Sequence, residues 1–394
     1  MYAVSAKYRS KMFDSVRKMT FRIRVTLKAG LNYTFDESRI VENSINLSNA
    51  CVSGSYFELG SVYMGELDFT ILNGIIYIPN LYKAKVVYSI LVDISDTNEP
   101  EYEEIPIGVF TVYETNISGR NVVVTCYDNM KLLDKQIKAP VAQDAYIYDI
   151  LSKIASECGV ELGMTESEVN SFPSTSIITV IGAAPNRSYR DYLMYCAEVM
   201  GGFATFNRSG KLVIRRFGVS PVAEFPEDSI INFSTNYYKY SIETIEAVTR
   251  SDGVAEDNIL VYDNGNENGY KYRIDSNNAL MSSWWDTNKL EKQQSIKEIG
   301  NSLKSLSYNS MSVKIWLEPA LDLGDMVSFN IYNAKYRGII MSYSMGVYGG
   351  QTINSYGIKS DSFVGKSQIE RTVDNLVASI SASASTSSIN TDTV

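Results

Sequence analysis

Between residues 19 and 127, apolar and polar side chains alternate in one short run after another, with no helix-length segment between the runs. No other feature of the sequence limits the possible folds so tightly. In the first run, 19–27, Phe21, Ile23, Val25 and Leu27 fall on one face, and Arg22, Arg24 and Thr26 on the other. Successive side chains of a strand point to opposite faces of its sheet, so a period of two predicts a half-buried strand. Further strand-like runs are 44–47, 66–72, 75–78, 84–92, 107–114 and 121–127, parted by turn residues such as Asn73-Gly74 and Ser118-Gly119-Arg120. Parallel strands need crossover connections, and none intervenes, so the expected architecture is an antiparallel barrel or sandwich. Ahead of it, residues 3–18 read as a short basic amphipathic helix.

The pattern changes near Lys138-Ala139-Pro140. Ile147, Ile150, Leu151, Ile154, Ala155 and Cys158 recur at helical spacing, and Gly159 follows as a C-terminal stop. A second helix is expected from Ser188, with Asp191 three residues on as its capping-box partner and Tyr192, Leu193, Cys196 and Ala197 as its apolar stripe. Gly201-Gly202 ends it, and a hairpin, 203–207 with 211–217, turns at Arg208-Ser209-Gly210. From residue 219 strands return at 240–250, 258–262, 312–318, 326–331, 336–347 and 351–358, interrupted by one helix that buries Leu290, Ile296, Ile299, Leu303 and Leu306. Near the end, Ile369, Val373, Leu376 and Ile380 keep a 4-3-4 spacing before the chain dissolves into Ser, Ala and Thr, a coiled-coil stub with a low-complexity tail. The expected organisation is therefore mainly β with an α+β insertion: a first β-barrel (1–137), an α+β segment (138–218), a second β-barrel (219–365) and a helical stub (366–394).

Composition removes most enzyme classes. The 394 residues contain no histidine, which excludes Ser-His-Asp and Cys-His nucleophile systems and nearly all catalytic zinc sites. Cys51, Cys126, Cys158 and Cys196 are widely separated, form no CxxC pair and read as buried reduced thiols. The longest apolar runs fall far short of the ~20 residues of a membrane-spanning helix, and the first residues lack an apolar signal region. No membrane partner is expected, and the protein is expected to be made in the cytoplasm. Residues 1–28 hold eight of the 36 basic side chains and one of the 45 acids, Asp14, giving +7 there and −16 in the remainder. An acidic body repels nucleic acid. The basic segment, with Arg9, Lys11, Arg17 and Lys18, is expected to dock on an acidic protein neighbour.

Several motifs fail on inspection. Gly365-Lys366-Ser367 resembles the end of a phosphate-binding loop, but Ser360 stands where that motif needs its first glycine. The run from Asp263 to Gly269 has Asn268 at the position where a calcium loop needs glycine. The acidic run Asp93, Asp96, Glu99, Glu101, Glu103 and Glu104 has no basic residue and reads as a solvated loop, or as part of a negative lumen if the chain lines a channel. Trp284-Trp285 and the 28 tyrosines read as core and sheet-surface aromatics. Paired carboxylates for glycoside hydrolysis stay possible on composition, but no cleft-forming segment accompanies them. No catalytic, metal or cofactor residue is assigned, and no cofactor is expected.

Four stretches, in order, resemble the baseplate hub proteins of phage tails, the N-terminal hub part of tail-associated lysins. The first runs from Ser44-Ile45-Asn46-Leu47 through Phe57-Glu58-Leu59-Gly60 to Gly65-Glu66-Leu67-Asp68-Phe69. The second is Ile105-Pro106-Ile107-Gly108-Val109-Phe110 with Cys126-Tyr127-Asp128-Asn129-Met130-Lys131-Leu132-Leu133-Asp134. The third is Ser188-Tyr189-Arg190-Asp191-Tyr192-Leu193, Gly201-Gly202-Phe203-Ala204 and Gly210-Lys211-Leu212. The fourth is Leu323-Gly324-Asp325-Met326-Val327 with Tyr336-Arg337-Gly338-Ile339-Ile340.

The resemblance implies two tail-tube-like barrels per chain and a homotrimer whose six barrels adapt a sixfold tail tube to a threefold tip. It implies a place at the virion tail tip, with a distal tail or tail tube protein above, a spike, fibre or tip protein below, and a tape measure protein as a further partner. DNA would pass through the channel without specific binding, and Ile369, Val373, Leu376 and Ile380 would form a trimer stalk. Many relatives continue into a lytic domain; this sequence shows a helical stub instead, so no enzyme activity is expected. The rival readings are a wall-degrading tail lysin and a carbohydrate-binding tail-tip module.

Overall fold

The computed structural model describes residues 1–14, 17–72, 80–97, 99–137, 142–175, 179–181, 187–249, 258–265, 269–274, 278–282 and 289–359. The chain divides into two units, Met1–Ile358 and Lys359–Val394. The expected strand 75–78, Trp284-Trp285, the Gly365 motif and the stalk residues Ile369, Val373, Leu376 and Ile380 lie outside the described residues.

Alternation made the strands, and the strands made a mainly β protein. One 13-stranded sheet runs through both β regions. From one end, twelve of its strands run in the order Asn258–Asp263, Ile230–Thr249, Ser307–Ile315, Gly350–Ser355, Ser342–Gly346, Asn46–Ala50, Glu66–Leu72, Asn121–Asp128, Tyr102–Ser118, Lys85–Asp93, Met19–Thr26 and Asn32–Phe35, and the thirteenth, Tyr270–Arg273, pairs with Ile230–Thr249 off this path. Every neighbour along this path is antiparallel, and the two β regions meet where Ser342, Tyr343, Ser344 and Met345 pair with Ala50, Asn49, Ser48 and Leu47. Among the described residues, two strand pairs depart from the expected antiparallel pattern by pairing parallel: Tyr270–Arg273 on Ile230–Thr249, and Pro221–Phe225 on Met326–Ile331.

Local signals held where they were strong. The helices Ile147–Cys158 and Tyr189–Val199 form as expected, the first stopped by Gly159 at φ +68° and the second opened by a Ser188/Asp191 capping box. The expected N-terminal helix shrinks to Ala6–Lys11 with Ser5 as its N-cap. Its last turn is basic but its first turn carries no acid, and six residues make too few backbone bonds to hold without tertiary support. The run 336–347 is two strands in different sheets, Ala334–Ile339 and Ser342–Gly346, because the backbone between them turns to other partners: Ile340 N–H donates to Asp325 O and Met341 N–H to Asn354 O.

The apolar residues collect in two cores. One gathers Phe21, Ile23, Val25, Leu67, Phe69, Val86, Ile90, Phe110 and Val124 of the first β region. The other joins the helices Ile147–Cys158 and Tyr189–Val199 to Ile242, Ile296, Ile299, Val313, Phe329 and Ile353 of the second. The regions also exchange segments. Cys51, Val52, Phe57 and Leu59 belong to the second core, while Leu317, Ala320 and Met345 belong to the first. All four cysteines are free thiols, three of them buried and Cys158 half-buried.

Candidate functional site

The four stretches singled out in the sequence meet one another. Asp128, buried at the end of its strand, accepts the N–H of Gly65 at 3.0 Å and that of Met130 at 2.9 Å, so it ties the first stretch to the second and caps the turn Asn129–Asp134. Burial pushes its carboxyl up to about 7, against those two donors and the nearby Arg190 guanidinium. Arg190, in the first turn of its helix, reaches Asp134 at 3.1 Å and the Met130 carbonyl at 3.1 Å, linking the third stretch to the second. Gly60 N–H donates to Gly202 O at 2.7 Å. Gly60 sits at φ +81°, and a Cβ there would lie 2.8 Å from Met194 O, so only glycine lets this turn approach the helix so closely. The Phe203 ring of the third stretch packs against Gly324 of the fourth, and Arg215, further along the same hairpin, reaches Asp325 at 3.2 Å.

Arg208, at the tip of the hairpin Phe203–Phe206 with Leu212–Arg215, closes the arrangement. Its guanidinium donates to Pro106 O at 2.7 Å, Leu321 O at 3.0 Å and Asp322 at 2.9 Å, and lies 4.8 Å from the centre of the Tyr2 ring. One nearly buried side chain thus touches the N-terminus, the first β region and the second. The planar fork of arginine spreads its donors over three nitrogens, here one for each acceptor, whereas the three N–H bonds of lysine radiate from a single nitrogen. By its local sequence Arg208 is a turn residue in Arg208-Ser209-Gly210. Nothing local marks it, since its partners stand 102, 113 and 114 positions away.

The basic N-terminal segment meets the acidic run. Lys7 pairs with Glu101 at 2.6 Å and Lys11 with Asp96 at 3.0 Å, while Ser5 donates to Glu103 and Arg22 and Arg24 both reach Glu104. The expected solvated loop is therefore largely engaged from within the chain, and Tyr102–Ser118 begins as a strand inside it. Arg17 is nearly buried and bonds to Glu318 at 3.0 Å and to Leu317 O at 2.9 Å. Tyr8 donates its hydroxyl to the same carboxylate. Burial raises the Glu318 carboxyl, and Arg17 and the Tyr8 hydroxyl oppose that rise. Of the four expected docking residues, Lys11 and Arg17 are engaged in cis, while Arg9 and Lys18 are exposed.

Other sites offer little chemistry. Glu66, Asp68 and Glu114 stand on neighbouring strands, and burial followed by the charge of Asp68 raises the Glu66 carboxyl. An open groove of about 630 Å³ lies between residues 37–46 and the hairpin 344–352, where Tyr348 donates to Glu37 at 2.6 Å. Among the described residues, no group of three or more His, Cys, Asp or Glu could hold a metal ion, and no helix is long and apolar enough to cross a membrane.

Fold and site together define a mainly β protein, built on one sheet that spans two β regions and locked by an inserted helical segment. Compared with solved structures, it is similar to the 43 kDa tail protein of prophage MuSo2 from Shewanella oneidensis (12% identity, 86% of this chain and 97% of that one, TM-score 0.48). It is also similar to a tail protein of Neisseria meningitidis (12% identity, 85% and 94%, TM-score 0.48). A third is an E. coli type VI secretion component, itself described as similar to bacteriophage tail proteins (9% identity, 86% and 78%, TM-score 0.40). No family model matches the chain, and no curated protein matches it by sequence.

Proposed function

We propose that this chain is a structural, non-enzymatic hub at the distal end of a phage-type tail, three copies of which close a ring around the DNA channel. The observation that carries this reading is the mutual contact of the four hub-like stretches. Asp128, Arg190, Arg208 and Arg215 spend their hydrogen bonds holding segments of the chain to one another. Such residues make a rigid scaffold, whereas a catalytic group must keep a bonding site for substrate.

In this reading residues 1–137 and 219–365 are the two tube-like parts, 138–218 the insertion, and 366–394 a stalk through Ile369, Val373, Leu376 and Ile380 that hands over to a spike or fibre protein. Docking of the basic segment on an acidic tail neighbour falls to Arg9 and Lys18, the exposed members. A reconstruction of the assembled tail tip tests the proposal. Three copies around a hole wide enough for duplex DNA are expected; one copy or six would overturn it. The rival lysin reading predicts a cleared band when the pure chain is run in a zymogram with host cell wall, and no band is expected.

A further inference from the structure

Where Asn46–Ala50 pairs with Ser342–Gly346, the seam between the two β regions carries an open cleft of about 370 Å³. That volume is at the lower end of the range of small-ligand sites, about 300–1,000 Å³. The cleft floor is formed by three neighbouring strands, with Ser48 beside Ser344 and Ser342 beside Asn354. Its wall is the loop 51–57, pinned at both ends: Cys51 N–H donates to Met341 O at 2.7 Å, and Phe57 N–H to Gly357 O at 2.8 Å. The side chains of Cys51 and Phe57 are buried in the second core, so packing holds the wall in place.

Five serines, three tyrosines and two asparagines line the cleft, and no charged side chain does. Charges stand only around it. Glu58 is taken up by Ser53, whose N–H donates to it at 3.1 Å, Glu66 pairs with Ser48 on the next strand, and Lys314 lies beyond Thr352 on the other side. Part of the polar lining is fixed: Asn354 Nδ2 donates to Ser342 Oγ at 3.1 Å, and Ser342 Oγ and Tyr356 Oη share a hydrogen bond of 2.8 Å. The rest is free. Among the described residues, the hydroxyls of Ser48, Ser55, Tyr63 and Ser344 have no partner within the protein.

We propose that this cleft binds a neutral saccharide and does not cleave it. A phosphate or carboxylate ligand would find no cation in the lining, and a cationic ligand no carboxylate. An apolar ligand would find only Ala50 and Val52, both already buried. A sugar matches what remains. Its hydroxyls both donate and accept, as do those of serine and tyrosine, and its C–H face fits a tyrosine ring such as that of Tyr63, which is 38% exposed. Glycoside hydrolysis needs a pair of carboxyl groups at the bond, and none lines the cleft. The dissociation constant is expected on the order of 1 mM, since each hydrogen bond to the sugar replaces one to water. This assignment does not depend on the hub reading.

The test is calorimetric titration of the full chain with three tetrasaccharides, those of N-acetylglucosamine and of glucose, both neutral, and an anionic oligogalacturonate. Binding of at least one neutral sugar is expected, and none of the anionic one. Neither neutral sugar binding, or the anionic one binding equally well, would overturn the proposal. Ser344→Arg fills the cleft with a charged side chain from an exposed position and is expected to abolish binding. Tyr63→Ala removes one ring contact and is expected to weaken binding about tenfold. Both variants are expected to melt with the parent chain, and a variant that folds and binds as the parent does would place the sugar elsewhere. Shortened sugars after prolonged incubation would refute binding without cleavage.

Discussion

Asp128 shows how much a single side chain can carry here, and at what cost. It is fully enclosed and accepts two backbone N–H groups, yet burial holds its carboxyl at about 7, well above the ordinary carboxylate value of 3.8. The folded state therefore binds this proton more tightly than the unfolded state does. Stability from this group is present in full below about pH 4 and is lost as pH rises toward 7, since only the unfolded chain ionises freely in that window. A difference of about three pKa units corresponds to about 4 kcal/mol. Asp128→Asn keeps an acceptor for one N–H and removes the titration. The variant is expected to lose the fall in stability between pH 4 and 7, measured as urea midpoints along the pH series. Parallel profiles for the two chains would show that Asp128 does not titrate there. Its place in a motif was legible, but its burial was not, because enclosure comes from Gly65 and Arg190, 63 and 62 positions away.

At the scale of elements, the hairpin Phe203–Phe206 with Leu212–Arg215 acts as a plug whose tip is Arg208. Arg208→Ala leaves Asp322 and two backbone carbonyls, Pro106 O and Leu321 O, without their donor. Asp322 keeps the Met1 amino group and Arg215 as cationic neighbours, so the cost is that of hydrogen bonds to a charged group, about 1.5–3 kcal/mol. Arg208→Lys is expected to recover only a small part, because the N–H bonds of one ammonium radiate from a single nitrogen. Thermal melts of the three chains check this, and a lysine variant as stable as the parent would refute the three-way role. Helices were the most legible elements, since the Ser188/Asp191 box and the Gly159 stop are written within one turn of the backbone they cap. Asn32–Phe35 and the acidic start of Tyr102–Ser118 escaped notice, because four polar-flanked residues and a row of glutamates look like loop until a neighbouring strand takes them up.

For the molecule as a whole, the exchanged segments matter most. Phe57 and Leu59 leave the first β region to fill the second core, and Leu317 and Ala320 come the other way. A fragment of residues 1–137 would expose Phe57 and Leu59 and lose Leu317 from its own core. Each large apolar side chain left in water forfeits about 1.5–3 kcal/mol, so three of them consume most of the margin of an ordinary domain. The fragment is expected to show no cooperative melt by calorimetry, whereas the full chain shows one. A sharp, reversible transition in the fragment alone would mean that the exchange is dispensable.

Period-two alternation decided by itself that this chain would be strands, because the two faces of a strand are a property of the backbone. Capping residues decided where two helices begin and end, since their bonds reach only three or four residues. The absence of histidine bounded the chemistry before any fold was known. Tertiary structure alone decided that Ser342–Gly346 pairs with Asn46–Ala50 and makes one sheet of two regions. It alone brought Lys7 and Lys11 onto the acidic run, and set Arg208 where three parts of the chain converge. Partners some ninety to three hundred positions apart leave no local mark. They are chosen by which apolar faces can be buried together, and the polar contacts follow from that choice.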